Sequence, residues 1–125
     1  VGAQGTPEGL WATYNDQHTQ VQSWVRIEKQ GEFWVGRIEK ILDPSATPDE
    51  KCNACQGEKQ GRPLLGLTII DKVAIPTGSG GTILDPEDGK TYRLELSLLQ
   101  DGRELRVRGY WGPFWRMQRW LRVSQ

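Results

Sequence analysis

The chain has 125 residues, with sixteen basic and sixteen acidic side chains that cancel to a formal net charge of zero at pH 7. This length suits a single domain with one hydrophobic core, and the balanced charge argues against a protein built to bind nucleic-acid phosphates. No apolar run approaches the roughly 20 residues that cross a bilayer, so we expect a soluble domain that does not span a membrane.

Apolar and polar residues alternate with a period of two through most of the chain, which is typical of strands with one buried face. Fifteen Gly and seven Pro supply turns between these segments. In chain order the predicted strands are Leu10–Tyr14, 21–28, 33–41, Leu64–Ile70, Gly81–Leu84, 92–98, 104–110 and 116–123. Turn signals at intervals of about 8–12 residues are typical of a sandwich or a barrel. The sequence therefore predicts an all-β domain of about eight antiparallel strands over residues 9–125, preceded by a tail of residues 1–8.

Two segments between the predicted strands carry further information. Residues 85–89 read Asp-Pro-Glu-Asp-Gly, a turn in which Asp85 caps backbone amides and Gly89 takes a positive φ. Residues 43–63 form a long polar connection that contains Cys52 and Cys55. A connection of this length in a small domain is either functional or held in place by a cross-link.

The Cys52–Cys55 spacing is the one metal-like or redox-like pattern in the chain. Two cysteines and a single histidine, His18, are too few for a four-ligand zinc site. We expect a local disulfide, which fits an oxidising compartment, and the alternative of a redox-active pair stays open.

Sets of residues for catalysis are incomplete. With one histidine and no nucleophile elbow, a nucleophilic triad lacks parts. The glycine-rich segment 78–81 has no following Lys-Ser/Thr and is not a phosphate loop. A carboxylate pair for glycoside hydrolysis is not excluded, but no pair stands out. The sequence favours a protein that is not an enzyme and needs no metal or cofactor.

The predicted last hairpin is the most informative region for binding, because residues 103–122 hold six Arg against one acid, Glu104. One face of its first strand carries Arg106, Arg108 and Tyr110, and one face of its second carries Arg116, Gln118, Trp120 and Arg122. Pointing inward, these faces would form a cationic pocket for a carboxylate or phosphate; pointing outward, they would keep the strands soluble. The candidate ligand-binding residues are Arg108, Tyr110, Arg116, Gln118 and Trp120, with Trp34 and Trp24 at the wall. Asp85, Lys90 and Tyr92 are rim candidates, but we favour a structural role for them in the turn and hairpin.

The two ends of the chain are expected to meet. In a closed barrel the first and last strands are neighbours, so Arg122 can lie flat on Trp11 by cation–π stacking. Gly9, Trp11 and Arg122 are therefore predicted to be structural residues at the barrel floor.

Several motifs resemble those of small exported bacterial proteins grouped as domain of unknown function 2147. They occur in the family's order and cover nearly the whole chain: Gly9-Leu10-Trp11, Gly36-Arg37-Ile38, Arg62-Pro63-Leu64, Ile83-Leu84-Asp85-Pro86, Leu105-Arg106-Val107-Arg108-Gly109-Tyr110 and Gln118-x-Trp120-x-Arg122-Val123. The Gly-x-Trp start and the late Arg also resemble the lipocalin signature. The resemblance implies a lipocalin-like up-and-down barrel, export from the cytoplasm and no established activity. Trp115 stands where family members often have Gly, which would reshape a cavity mouth.

Two functions remain open at this point. The first is an exported protein that binds a small, partly apolar molecule with an anionic group inside the barrel. The second is a barrel filled by its own side chains that acts as an envelope interaction module, using the outer surface and the aromatic segment Tyr110–Trp115. Single-stranded nucleic-acid binding by the Arg-rich hairpin is disfavoured by the zero net charge. Residues Val1-Gly2-Ala3 have the spacing of a signal-peptidase site, so we expect a periplasmic or secreted protein.

Overall fold

The computed structural model describes residues 6–14, 20–43, 49–74, 78–86, 89–99 and 102–124. Predictions for Val1–Ala3 and His18 lie outside these residues. In the described residues the strands are β1 (Gly9–Tyr14), β2 (Val21–Gln30), β3 (Phe33–Ile41), β4 (Thr68–Ala74), β5 (Gly81–Asp85), β6 (Lys90–Leu99), β7 (Glu104–Trp111) and β8 (Phe114–Ser124). A single 3₁₀ turn, Gly57–Lys59, accompanies them in that part of the chain.

Each strand pairs antiparallel with the next, and β8 returns to pair with β1, so the sheet closes into a barrel. The all-β, up-and-down, eight-stranded barrel expected from the sequence is confirmed. Closure gives each of the described strands a neighbour on both sides. It also fixes which residues face inward, because side chains alternate along a strand. Within the described residues, no helix is long and apolar enough to cross a membrane.

The inward faces of the strands form the hydrophobic core. Large side chains that are almost fully buried come from strands all around the barrel: Trp11, Val25, Ile27, Ile70, Val73, Leu94, Leu105 and Trp120. Gly36 also faces this interior, where an added Cβ would lie 3.0 Å from the Cβ of Ile70. A side chain there would therefore displace packed core atoms.

The closed end of the barrel is the end where β1 begins and β8 finishes. Here the guanidinium of Arg122 lies over the ring of Trp11, 4.3 Å from its centroid. The same guanidinium donates hydrogen bonds to the carbonyl oxygens of Gly102 (2.7 Å), Glu8 (2.7 Å) and Thr6 (2.8 Å). Partial burial lowers the pKa of Arg122 from its ordinary value. The contact expected between the first and last strands is thus present, and it also ties the N-terminal residues and the β6–β7 turn to β8.

Strand β4 was predicted over Leu64–Ile70 but spans Thr68–Ala74, and it contains a bulge. Residues 64–67 form a turn, with the Leu67 amide bonded to the Leu64 carbonyl (3.1 Å), so the strand begins at Thr68. The register against β3 then shifts along β4, and Lys72 adopts a φ of 56°. An extra residue in a left-handed conformation is the mark of a β-bulge, which bends the strand as a small closed barrel requires.

Candidate functional site: a cavity at the open end of the barrel

The barrel contains a cavity of about 780 Å³ that opens at the end opposite Trp11 and Arg122. Its lining comes from the end of β1, the start of β2, the end of β3, the β5–β6 turn and the β7–β8 hairpin. We call this end of the barrel the mouth. A volume of this size is in the range of sites that hold drug-sized molecules.

The deep part of the cavity is apolar. Its wall is formed by buried side chains from four strands, namely Ile38 on β3, Ile69 on β4, Val107 on β7 and Trp120 on β8. Trp120 is only 2% exposed and lies deepest, since it pairs with Leu105 towards the closed end. This part of the cavity offers a ligand shape and apolar contact, but few hydrogen bonds.

Two hydrogen-bonded pairs of polar side-chain groups interrupt the apolar wall in the described residues. The hydroxyls of Thr13 and Ser23, which face each other across β1 and β2, are 2.6 Å apart. The indole Nε1 of Trp120 donates a hydrogen bond to the Gln118 side-chain oxygen at 3.1 Å. These groups already have partners, yet a hydroxyl pair and an amide each keep further capacity to bond a ligand.

An ion pair stands at the mouth. Arg116 on β8 donates to the carboxylate of Asp85 at 2.9 Å, and its guanidinium lies 5.8 Å from the ring centroid of Tyr92. The other charged residues of the lining are Asp43, Glu50 and Lys51. Among the described residues, three carboxylates and two cations therefore surround the opening, which is not the cationic pocket that inward-pointing Arg faces on both strands would have formed.

Residues 49–67, which we call the disulfide loop, cover one side of the mouth. Cys52 and Cys55 are bonded to each other and buried in the hydrophobic core. The Cβ of a residue replacing Gly89 would lie 1.8 Å from the Ala54 carbonyl oxygen, so the β5–β6 turn and the loop are in direct contact. The local disulfide expected from the sequence is confirmed, and it shapes the part of the loop that borders the cavity.

The predicted placement of Arg108 and Tyr110 inside the barrel is wrong. In the β7–β8 register Arg108 pairs with Met117 and Gly109 pairs with Arg116, and directly paired residues point to the same side of a sheet. Because Arg116 faces the cavity, Arg108 and Tyr110 lie on the outer wall. There Tyr110 donates to Glu95 (2.8 Å), and its hydrogen bond with Arg108 raises the pKa of that guanidinium.

The two tryptophans predicted at the wall lie elsewhere. Trp34 faces inward but belongs to the packed core, 5% exposed, and does not border the cavity. Trp24 lies on the outer wall with the ammonium of Lys40 4.9 Å from its ring centroid. Of the predicted rim residues, Asp85 and Tyr92 border the cavity, whereas the ammonium of Lys90 lies over the ring of Trp111.

Sequence reasoning missed the contribution of β1 and β2. Thr13 shares the inward face of Trp11, two residues earlier, and Ser23 is its cross-strand partner. The signal was available, since placing Trp11 inside the barrel places Thr13 inside as well. Ile38 on β3 follows from the same alternation, because Trp34 and Gly36 face inward.

Across the described ranges, no group of three or more His, Cys, Asp and Glu side chains is arranged to hold a metal ion.

Comparisons with known proteins agree with the motifs and the fold. The model of the family described as "uncharacterized protein conserved in bacteria (DUF2147)" matches residues 9–122. Among solved structures, protein HP1028 from the human pathogen Helicobacter pylori, described as belonging to the lipocalin family, matches with a TM-score of 0.75 and 20% identity. That match covers 94% of this chain and 83% of the other, and at this identity it shows a lipocalin-like fold alone. The comparison with curated proteins found no match.

Proposed function

The chain belongs to the DUF2147 family of bacterial proteins, and we propose that it binds a small, mostly apolar molecule inside its barrel, with a polar end of that molecule at the mouth. The single observation that carries this proposal is the cavity of about 780 Å³, which is apolar at depth and polar at its opening. Apolar burial would supply most of the affinity, and the hydrogen-bonding groups would set the ligand's orientation.

The ligand's polar end needs no negative charge. An anion would bind Arg116 only in competition with Asp85, which already accepts from it at 2.9 Å. The mouth also carries the carboxylates of Asp43 and Glu50. A hydroxyl, amide or amine suits the Thr13–Ser23 hydroxyls and Gln118 better than a carboxylate does.

The alternative of a barrel filled by its own side chains is less well supported, because the described residues leave this volume open. Binding, and not catalysis, is proposed because the cavity is apolar at depth and the Asp85 carboxylate at its mouth is already paired with Arg116. The Cys52–Cys55 disulfide favours an oxidising compartment, and we propose that the protein acts in the bacterial envelope.

The test is a fluorescence titration with N-phenyl-1-naphthylamine, a neutral apolar probe. The protein should bind it saturably, and Val107→Trp, which places a larger ring in the cavity, should weaken binding by about tenfold or more. Ser97→Trp is the matched control, since Ser97 is exposed on the outer wall of the neighbouring strand β6. Equal affinities for the two variants would show that the probe binds outside the barrel.

The charge preference is tested with 8-anilinonaphthalene-1-sulfonate, which adds a sulfonate to nearly the same aromatic body. We expect it to bind no more tightly than the neutral probe, and Arg116→Ala to change neither affinity by more than about threefold. A clear preference for the sulfonate that disappears in Arg116→Ala would restore the anionic ligand predicted from the sequence.

A further inference from the structure

The β7–β8 turn carries three aromatic side chains that remain exposed. Trp111 is 50% exposed, Phe114 68% and Trp115 61%, and together with Gly112 and Pro113 they form what we call the hairpin tip (residues 111–115). Exposing large aromatic side chains to water is energetically unfavourable, so a cluster of exposed aromatic side chains marks an interaction surface. The tip lies at the mouth, next to the cavity-lining Arg116.

The exposed rings lie on both faces of the hairpin. Trp111 pairs with Phe114 on one face, while Trp115 pairs with Tyr110 on the other. The barrel cannot bury both faces by a shift of the hairpin, and a flat protein partner would cover only one. The interfacial layer of a lipid bilayer surrounds an inserted loop on all sides, and it is where tryptophan is enriched.

Cationic groups lie directly behind these rings. The ammonium of Lys90 is 4.5 Å from the ring centroid of Trp111, and the guanidinium of Arg108 is 5.1 Å from that of Trp115. Aromatic groups at the tip with cations one layer behind them match the two layers of an anionic bilayer surface, acyl boundary and phosphate.

We propose that the hairpin tip docks this protein onto the surface of an anionic phospholipid bilayer. Trp111, Phe114 and Trp115 enter the headgroup region, and Lys90 and Arg108 contact the phosphates. The protein lies on the bilayer by this contact. The docking does not depend on whether the cavity holds a ligand.

The experiment is co-sedimentation of the full chain with vesicles of phosphatidylglycerol mixed with phosphatidylcholine, and with vesicles of phosphatidylcholine alone. We expect binding to the anionic vesicles and much weaker binding to the neutral ones. Phe114→Ser and Trp115→Ser should each lower the association constant by about tenfold. Arg108→Gln should lower it by about fivefold. Since all three side chains lie at the surface, the fold should persist, and circular dichroism checks this.

Phe33→Ser is the matched control, because Phe33 is 42% exposed at the β2–β3 hairpin at the other end of the barrel. It should leave vesicle binding unchanged, and so should Val107→Trp, which separates docking from cavity binding. Absence of sedimentation, equal binding to both vesicle types, or an equal loss in Phe33→Ser would overturn the proposal. Binding of single-stranded oligonucleotides in place of vesicles, lost in the same tip variants, would assign the surface to nucleic acid instead.

Discussion

Replacing Arg122 by alanine should lower the free energy of unfolding by about 4 kcal/mol. The side chain makes three hydrogen bonds to backbone carbonyls and stacks on Trp11. Each hydrogen bond contributes about 1 kcal/mol net of hydration, and the stacking about 1 kcal/mol more. Arg122→Lys keeps the charge over the ring but has no planar fork to reach three carbonyls, so about half of the loss is expected.

Urea unfolding followed by far-ultraviolet circular dichroism measures these differences. The matched control is Arg37→Ala, since Arg37 makes an ion pair with Glu28 on the outer wall in which both side chains are about half exposed. That pair should contribute less than about 1 kcal/mol. If Arg122→Ala costs no more than Arg37→Ala, the idea that Arg122 closes the barrel is refuted.

The remaining predictions concern the mouth and the bulge. The double variant Cys52→Ser/Cys55→Ser should lower the free energy of unfolding by about 2 kcal/mol, the loop-closure value for a bridge between residues three apart. An unchanged urea midpoint would mean that the bridge does not stabilise the fold. Gly89→Ala meets both a left-handed φ of 71° and the backbone of the disulfide loop, and should cost more than about 2 kcal/mol, whereas Gly57→Ala, with a φ of 63° and open space, should cost about 1 kcal/mol. Similar melting temperatures for the two alanine variants would argue against that contact. Lys72→Gly removes a non-glycine residue at a φ of 56° and should raise the free energy of unfolding in urea by up to about 1 kcal/mol. A lower free energy of unfolding in this variant would argue against the left-handed bulge.

Strand number, antiparallel order and barrel closure could be predicted because each depends on local patterns. Alternation marks each strand, and Gly and Pro mark the turns between them. Contact between the two ends also follows from closure, which brings Arg122 beside Trp11. The family motifs pointed to the same lipocalin-like barrel.

The inner face of β7 was predicted incorrectly, and the reason lies in the turn. Gly112 and Pro113 form a two-residue turn, so Trp111 pairs with Phe114 and the register of the whole hairpin follows. In that register Arg108 and Arg116 cannot share a face, because a shift of one residue moves every side chain to the other side. Applying the turn length to both strands would have placed Val107 and Gly109 inside.

The size and polarity of the cavity could not be predicted at all. They depend on how far the side chains of several strands fill the barrel and on where the disulfide loop lies over the mouth. The contact between Gly89 and Ala54 joins segments 35 residues apart in the chain, and no local pattern in the sequence indicates it.

The central claim is that small apolar molecules bind inside the barrel, and the indole N–H signals of the six tryptophans test it directly. In a two-dimensional NMR titration with N-phenyl-1-naphthylamine, the signal of Trp120, which lines the cavity, should shift saturably. Trp24 on the outer wall should stay unchanged. Shifts confined to the exposed Trp111 and Trp115, with Trp120 unmoved, would place the probe on the surface and contradict the account.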